Sequence, residues 1–250
     1  MKKTIIFFSG VLFLAASCTT GPRYAVTSAS WERIPVIAAS HPDSSLSAYV
    51  DRHKRVMEAE MDKVIGYSAQ EMMYERPESL LTNFTSDAMM QVYRDSAKAE
   101  KPDLAVMNVH GHRAPLAKGD ITVGAIYNIY PFDNSLVIVN LKGNDLLDIF
   151  RAYAQIGGAG ISGNVRLIIK DKQLSDAKVN GQAVDPDRIY RVVTLDYLSE
   201  GNDHMDAFKR AVSINATGLT LRDYILEYIT NLTGEGKQIT SRLDGRIIVE

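Results

Sequence analysis

Four short apolar runs constrain the fold of this chain more than any other feature. Residues 104–107, 136–141, 165–169 and 190–195 are rich in Leu, Val and Ile and are flanked by polar or charged residues. Such segments read as strands. A fifth run, 126–130, reads as another strand, separated from 136–141 by a turn at Pro131-Phe-Asp-Asn134. Asn180-Gly181 signals a hairpin, because this pair readily takes the positive backbone angles of a tight turn. Helical patterns lie between these runs. Over 44–65, Leu46, Tyr49, Val50, His53, Val56, Met57, Met61 and Val64 recur at spacings of three and four, and Gly66 follows as the stop. A second helix is expected over 77–97, with Leu80, Leu81, Phe84, Ala88, Met89, Val92 and Tyr93 facing the core. A third opens at Gly143 and a last one occupies about 221–232. Gly157-Gly-Ala-Gly160 and Gly163 form a glycine-rich loop. Helices interleaved with frequent hairpins predict an α+β fold, in which mixed, largely antiparallel sheets pack with helices.

The start of the chain has a different character. Met1-Lys2-Lys3 is a short basic segment, and residues 5–16 are almost unbrokenly apolar. That run is too short to span a bilayer of roughly 30 Å as a helix, but it suits the core of a signal peptide. Ala15-Ala16-Ser17 then leads into Cys18, the only cysteine. A lone cysteine in an exported protein has no internal disulfide partner, and acylation gives it a purpose. The match to a lipobox is imperfect, since Leu14 stands four residues before Cys18 and Ala15 fills the usual leucine position. The expected organisation is a signal peptide over 1–17, a lipidated tether over 18–43 and one domain over 44–250. Thr19-Thr20-Gly21 brings no acidic run, which points to an outer-membrane anchor facing the periplasm. Removing 17 of 250 residues leaves 233, and losing Lys2 and Lys3 leaves 26 basic against 30 acidic residues, a net charge of −4. That balance excludes a strong polyanion binder, so no nucleic-acid polymer is expected as a partner.

A catalytic zinc site needs about three protein ligands and an open position. His41 and His53 read as packing or surface residues. His110 and His112, two apart, lie on one side if the chain is extended there, but no Asp-x-His or Gly-Asn-His-Glu segment completes a set. No metal or other cofactor is therefore expected in this chain, and neither a nucleophile elbow nor a P-loop is found. Three other segments fit together better. Asn108-Val-His-Gly-His-Arg113 follows one strand, Phe132 sits in a turn, and Tyr197-Leu-Ser-Glu-Gly-Asn-Asp203 follows another strand. Binding residues are commonly mounted at such positions. Two aromatics, an arginine, an asparagine and an aspartate suit a nucleoside. A base stacks on aromatic faces at about 1–3 kcal/mol each, a carboxylate accepts from ribose hydroxyls, and arginine answers phosphate. Spacing alone leaves core roles for Phe132 and Tyr197, and a turn role for Asp203, equally open.

These segments resemble the C-terminal domain of the 5′-nucleotidase and UDP-sugar hydrolase family, and the resemblance covers most of residues 45–235. That family carries Asn-x-Gly-Gly-x-Arg, a Pro-Phe-x-Asn turn, and an aromatic six residues before the aspartate of Gly-Gly-Asp. Further matches are Asn83-Phe-Thr-Ser-Asp-Ala-Met89, Gly119-Asp-Ile-Thr122, Leu141-Lys-Gly143, Asn180-Gly181 and Asp187-Arg-Ile-Tyr-Arg-Val192. The resemblance implies that Phe132 and Tyr197 clamp the base and Asp203 holds the ribose. It implies that Asn108 and Arg113 contact ribose or phosphate, that Gly158 lines the pocket, and that Asn134 supports the turn. His110 replaces a family glycine, Asn202 and His204 flank Asp203 where glycines are usual, and Glu75 stands where the family has an arginine, with Arg76 one place on. Complete members also carry an N-terminal metallophosphoesterase domain with two metals, and only about 26 residues separate Cys18 from Ser44. The resemblance thus implies a nucleoside- or nucleotide-recognition subunit acting with a separate metallophosphoesterase, which would carry the divalent metals. The alternatives are a stand-alone nucleotide-binding lipoprotein and a structural lipoprotein with a vestigial pocket.

Overall fold

The computed structural model describes residues 24–35, 43–95, 97 and 99–250. Cys18 and His41 lie outside these. The chain divides into two units, Met1–Ser47 and Ala48–Glu250. In the first, residues 24–35 are exposed and without regular structure. Helix α1 (Ser44–Met61) starts near the end of that unit, and none of its residues is buried. It ends four residues short of the expected 65, because residues 64–68 form strand β1 (Val64–Ser68). Gly66 is therefore not a helix stop. It lets β1 approach a later helix closely, since a Cβ there would come within 2.7 Å of both Ile229 and Thr233.

The helix expected over 77–97 is two helices, α2 (Leu80–Met89) and α3 (Val92–Asp95). Ser79 caps α2 in a reciprocal capping box with Thr82, satisfying backbone groups that a helix start leaves unpaired. Strand β2 (Leu104–Met107) is fully buried. After β3 (Gly119–Thr122) the chain enters α4 (Val123–Ile129). The expected strand at 126–130 is thus a helix, capped by the Thr122 side chain accepting from the Ala125 amide. Its apolar residues Ile126 and Ile129 are three apart and both buried. There follow β4 (Ser135–Lys142), α5 (Gly143–Gln155), β5 (Gly160–Ile161), β6 (Val165–Lys170), β7 (Gln173–Val179), β8 (Gln182–Ala183) and β9 (Ile189–Leu195). Then come a short helix α6 (Asp196–Ser199), β10 (Ser213–Thr220), α7 (Leu221–Gly234) and β11 (Ile247–Val249). Asn180 and Gly181, at φ 53° and 77°, turn β7 into β8.

The central sheet has the order β10-β4-β9-β2-β5. Its pairings are antiparallel except for β2 with β9. A second sheet runs β11-β6-β7-β8, with one parallel pair, and β1 pairs with β3. The α+β fold with mixed, mainly antiparallel sheets is therefore the one observed. One hydrophobic cluster joins the faces of β2, β4 and β9 to α2, α5 and α7 through residues such as Phe84, Val106, Val139, Phe150, Val193 and Tyr224.

Candidate functional site

The pairing of three central strands decides where the polar segments meet. Strands β2 and β9 are parallel neighbours, with Leu104 opposite Val192, so their C-terminal ends lie side by side. Asn108 follows the first directly, and Tyr197 lies just past the second. Strand β4 runs antiparallel to β9, with Leu136 opposite Leu195, so the start of β4 reaches the same edge. Phe132 and Asn134 lie immediately before it. Asn108, His110, Gly111, Arg113, Phe132, Asn134, Tyr197 and Asp203 accordingly line one cavity of about 260 Å³.

Six of the seven binding residues expected from the sequence share this cavity. Gly158 does not line it. Its carbonyl accepts a 3.0 Å hydrogen bond from Nε of Arg76, whose other guanidinium nitrogen lies 3.2 Å from Nε2 of His110 on the cavity wall. Gly158 has φ 110°, and a Cβ there would lie 2.5 Å from the Pro77 carbonyl oxygen. Only glycine adopts that conformation freely. Arg76, set aside in the sequence as out of register, is thus tied to both the glycine loop and the cavity wall.

Asp203 is held from two sides. Asn108 donates to one carboxylate oxygen at 2.6 Å and the Tyr197 hydroxyl donates to the other at 3.1 Å. The bond to the carboxylate raises the Tyr197 pKa above its ordinary value, because ionising the phenol would set two anions against each other. Asp203 sits in the left-handed region at φ 54°, ψ 35°, a conformation that aspartate tolerates better than most residues. Asn202 steadies the segment by donating to the Tyr197 carbonyl at 2.8 Å. Gly111 allows a close approach, since a Cβ there would stand 2.7 Å from Oδ1 of Asn108.

The aromatics are presented rather than packed away: Phe132 is 42% exposed and Tyr197 39%. The guanidinium of Arg113 lies 5.0 Å from the Phe132 ring centre, a cation–π distance. Arg222, at the start of α7, donates to the carbonyls of Tyr130 and Pro131 at 3.3 and 3.2 Å and pairs with Asp133. It also stacks over Tyr127 at 4.3 Å. No sequence pattern marked Arg222, because it lies about ninety residues from the turn it fastens.

His110 and His112 do not share a side. Residues 109–111 form a 3-10 turn, which leaves His110 exposed and His112 fully buried. Burial drives the His112 pKa down to about 4. Among the described residues, no group of three or more His, Cys, Asp or Glu side chains is arranged to hold a metal ion, so no step through a metal is assigned to them.

Comparisons with known proteins point to one family. The family model for the 5′-nucleotidase C-terminal domain matches residues 64–210. Protein UshA of Escherichia coli is 30% identical over 131 residues, which cover 51% of this chain and 24% of UshA. The trifunctional nucleotide phosphoesterase protein YfkN of Bacillus subtilis is 24% identical over 237 residues, 86% of this chain and 16% of YfkN. Among solved structures, the 5′-nucleotidase precursor from Thermus thermophilus superposes with a TM-score of 0.71 at 27% identity, covering 82% of this chain and 43% of that one. The chain thus spans less than half the length of each of these relatives. With a family model that matches more than half of its residues, and the matched segments converging on one cavity, the chain belongs to the 5′-nucleotidase C-terminal domain family.

Proposed function

We propose that the cavity binds a nucleoside or nucleotide and that the domain is the recognition component of a 5′-nucleotidase. The observation that carries this reading is the convergence of Asn108, Arg113, Phe132, Tyr197 and Asp203, from three separate segments, on one cavity. Phe132 and Tyr197 offer exposed ring faces to a base. Each oxygen of Asp203 accepts one bond from the protein and keeps acceptor capacity for a ribose hydroxyl. Arg113, exposed beside Phe132, and Arg76, beside His110, supply cationic donors for a phosphate. Asn134 fixes the turn by accepting from the Leu221 amide at 2.9 Å. Gly158 acts indirectly, by anchoring Arg76.

Hydrolysis, in this reading, is performed with a metallophosphoesterase that supplies the divalent metals. The protein is exported, acylated at Cys18 and held at the outer membrane facing the periplasm. The N-terminal basic, apolar and small-residue segments support export and acylation. Calorimetric titration with adenosine and its monophosphate tests the cavity: saturable binding lost in Phe132→Ala is expected, and no binding of either ligand refutes the reading. Mixing with a metallophosphoesterase tests the division of labour. Nucleotidase activity is expected only in the mixture, and activity of this chain alone with chelator present contradicts it. Incorporation of a labelled fatty acid in wild type, and not in Cys18→Ala, tests the anchor.

A further inference from the structure

Three buried polar side chains meet at one atom, two of them adjoining cavity-lining segments in the sequence. Oγ1 of Thr85, on α2, lies 2.9 Å from Nε2 of His112 and 2.6 Å from the hydroxyl of Tyr130. It also lies 2.8 Å from the Leu81 carbonyl. His112 adjoins Arg113 in one ligand-bearing segment, and Tyr130 directly precedes the Pro131–Asn134 turn that carries the other. All three side chains are buried.

A hydroxyl has one proton to give and room to accept two. Nδ1 of His112 lies 3.1 Å from the Val109 carbonyl, and that contact requires a proton on Nδ1. In a neutral imidazole Nε2 is then a bare acceptor, so the Thr85 proton is shared between it and the Leu81 carbonyl in a bifurcated donation. Tyr130 in turn donates to Thr85. The chain of donors therefore runs Tyr130 to Thr85 to His112 to the Val109 carbonyl, and it leaves no buried group of this set without a partner. The backbone repeats the link, since the Arg113 amide donates to the Ile129 carbonyl at 2.9 Å.

We propose that Thr85 is a positioning residue that couples the 108–113 and 131–134 segments, so that ligand affinity depends on a hydroxyl that touches no ligand. Losing that hydroxyl strands an imidazole nitrogen and a phenol in the core. Buried polar groups do not stay unpaired at low cost, so both segments shift to find new partners. The inference rests on the proposed nucleotide-binding function only for its ligand readout.

The test compares Thr85→Val, which keeps the shape and removes the hydroxyl, with Thr85→Ser, which keeps the hydroxyl. Adenosine monophosphate is expected to bind Thr85→Val about tenfold more weakly or worse, and Thr85→Ser within about threefold of wild type. Equal affinity in Thr85→Val and wild type overturns the proposal. Amide hydrogen exchange gives a readout that needs no ligand. The Arg113 amide, bonded to Ile129, and the Leu221 amide, bonded to Asn134, report on the two segments. Both are expected to exchange faster in Thr85→Val and not in Thr85→Ser, and acceleration of one alone, or of neither, overturns the coupling. If wild type binds no nucleotide, the proposed function fails while the exchange result still decides the coupling. If Thr85→Val does not fold, Thr85→Ala, which removes the same hydroxyl without placing a methyl group against His112 and Tyr130, replaces it in the same measurements with the same two outcomes.

Discussion

Asn108 donates a 2.6 Å hydrogen bond to the carboxylate of Asp203, which lies 95 positions further along the chain. The contact exists because β2 and β9 are parallel neighbours whose following loops emerge at one sheet edge. It fixes the carboxylate before any ligand arrives, which lowers the ordering cost of binding. Replacing Asp203 with Asn turns one acceptor into a donor. Asp203→Asn is expected to weaken adenosine by about 10–100-fold and 2′,3′-dideoxyadenosine far less. Equal losses for both ligands in calorimetry would remove the ribose from Asp203.

Phe132 sits half-exposed at the tip of its turn, so its ring contributes little to the core. Phe132→Ala is expected to leave the thermal midpoint almost unchanged while lowering nucleotide affinity by about 1–3 kcal/mol, one base stack. A variant that loses stability and affinity together would mark the ring as packing.

Arg222 makes the opposite forecast. Its side chain is 12% exposed, and it fastens two carbonyls and one carboxylate of the Phe132 turn. Arg222→Met should destabilise the fold by about 1 kcal/mol, since only the Tyr130 carbonyl is partly buried and the other two acceptors can turn to water, and should also weaken ligand binding. Denaturant unfolding and calorimetry on the same preparation separate the two effects. An unchanged affinity would show that the turn keeps its shape without the clamp.

His112 makes stability depend on pH. The unfolded chain takes up this proton near the ordinary value of 6.5, and the folded chain only near about 4. Between those values the unfolded state binds more protons, so stability falls as pH drops through the window, by on the order of 3 kcal/mol from this group. His112→Phe should flatten the profile between pH 6.5 and 4 relative to wild type in denaturant titrations. An identical slope in the two proteins would place the acid sensitivity elsewhere.

The sequence was most informative where chemistry and turn geometry coincide. Phe132, in a turn between Pro131 and Asn134, is in an awkward place for a core aromatic, and Asp203 follows a strand beside a glycine; both stand in the cavity. Local apolar pattern misled at 126–130, because a short apolar run has no clear period. The Thr122 cap that begins α4 was the available signal. The spacing of His110 and His112 means one face only in extended chain, and a 3-10 turn separates them here. Arg222, Thr85 and the Arg76 contacts were not legible, because each depends on residues brought together from distant parts of the chain. His110 and Gly111 were within reach, since they lie inside the segment already singled out.

Parallel β2 and β9, with antiparallel β4 beside them, form a fixed jig. Strand ends in a hydrogen-bonded ladder stand about 4.7–4.9 Å apart whatever loops they carry. The spacing between the Phe132 and Tyr197 segments is therefore set by the ladder, and the identity of the groups they present is set by the loops. Swapping a loop residue retunes which ligand is preferred without disturbing the gauge, so specificity in this domain can be re-engineered one strand end at a time while the core sequence is left alone.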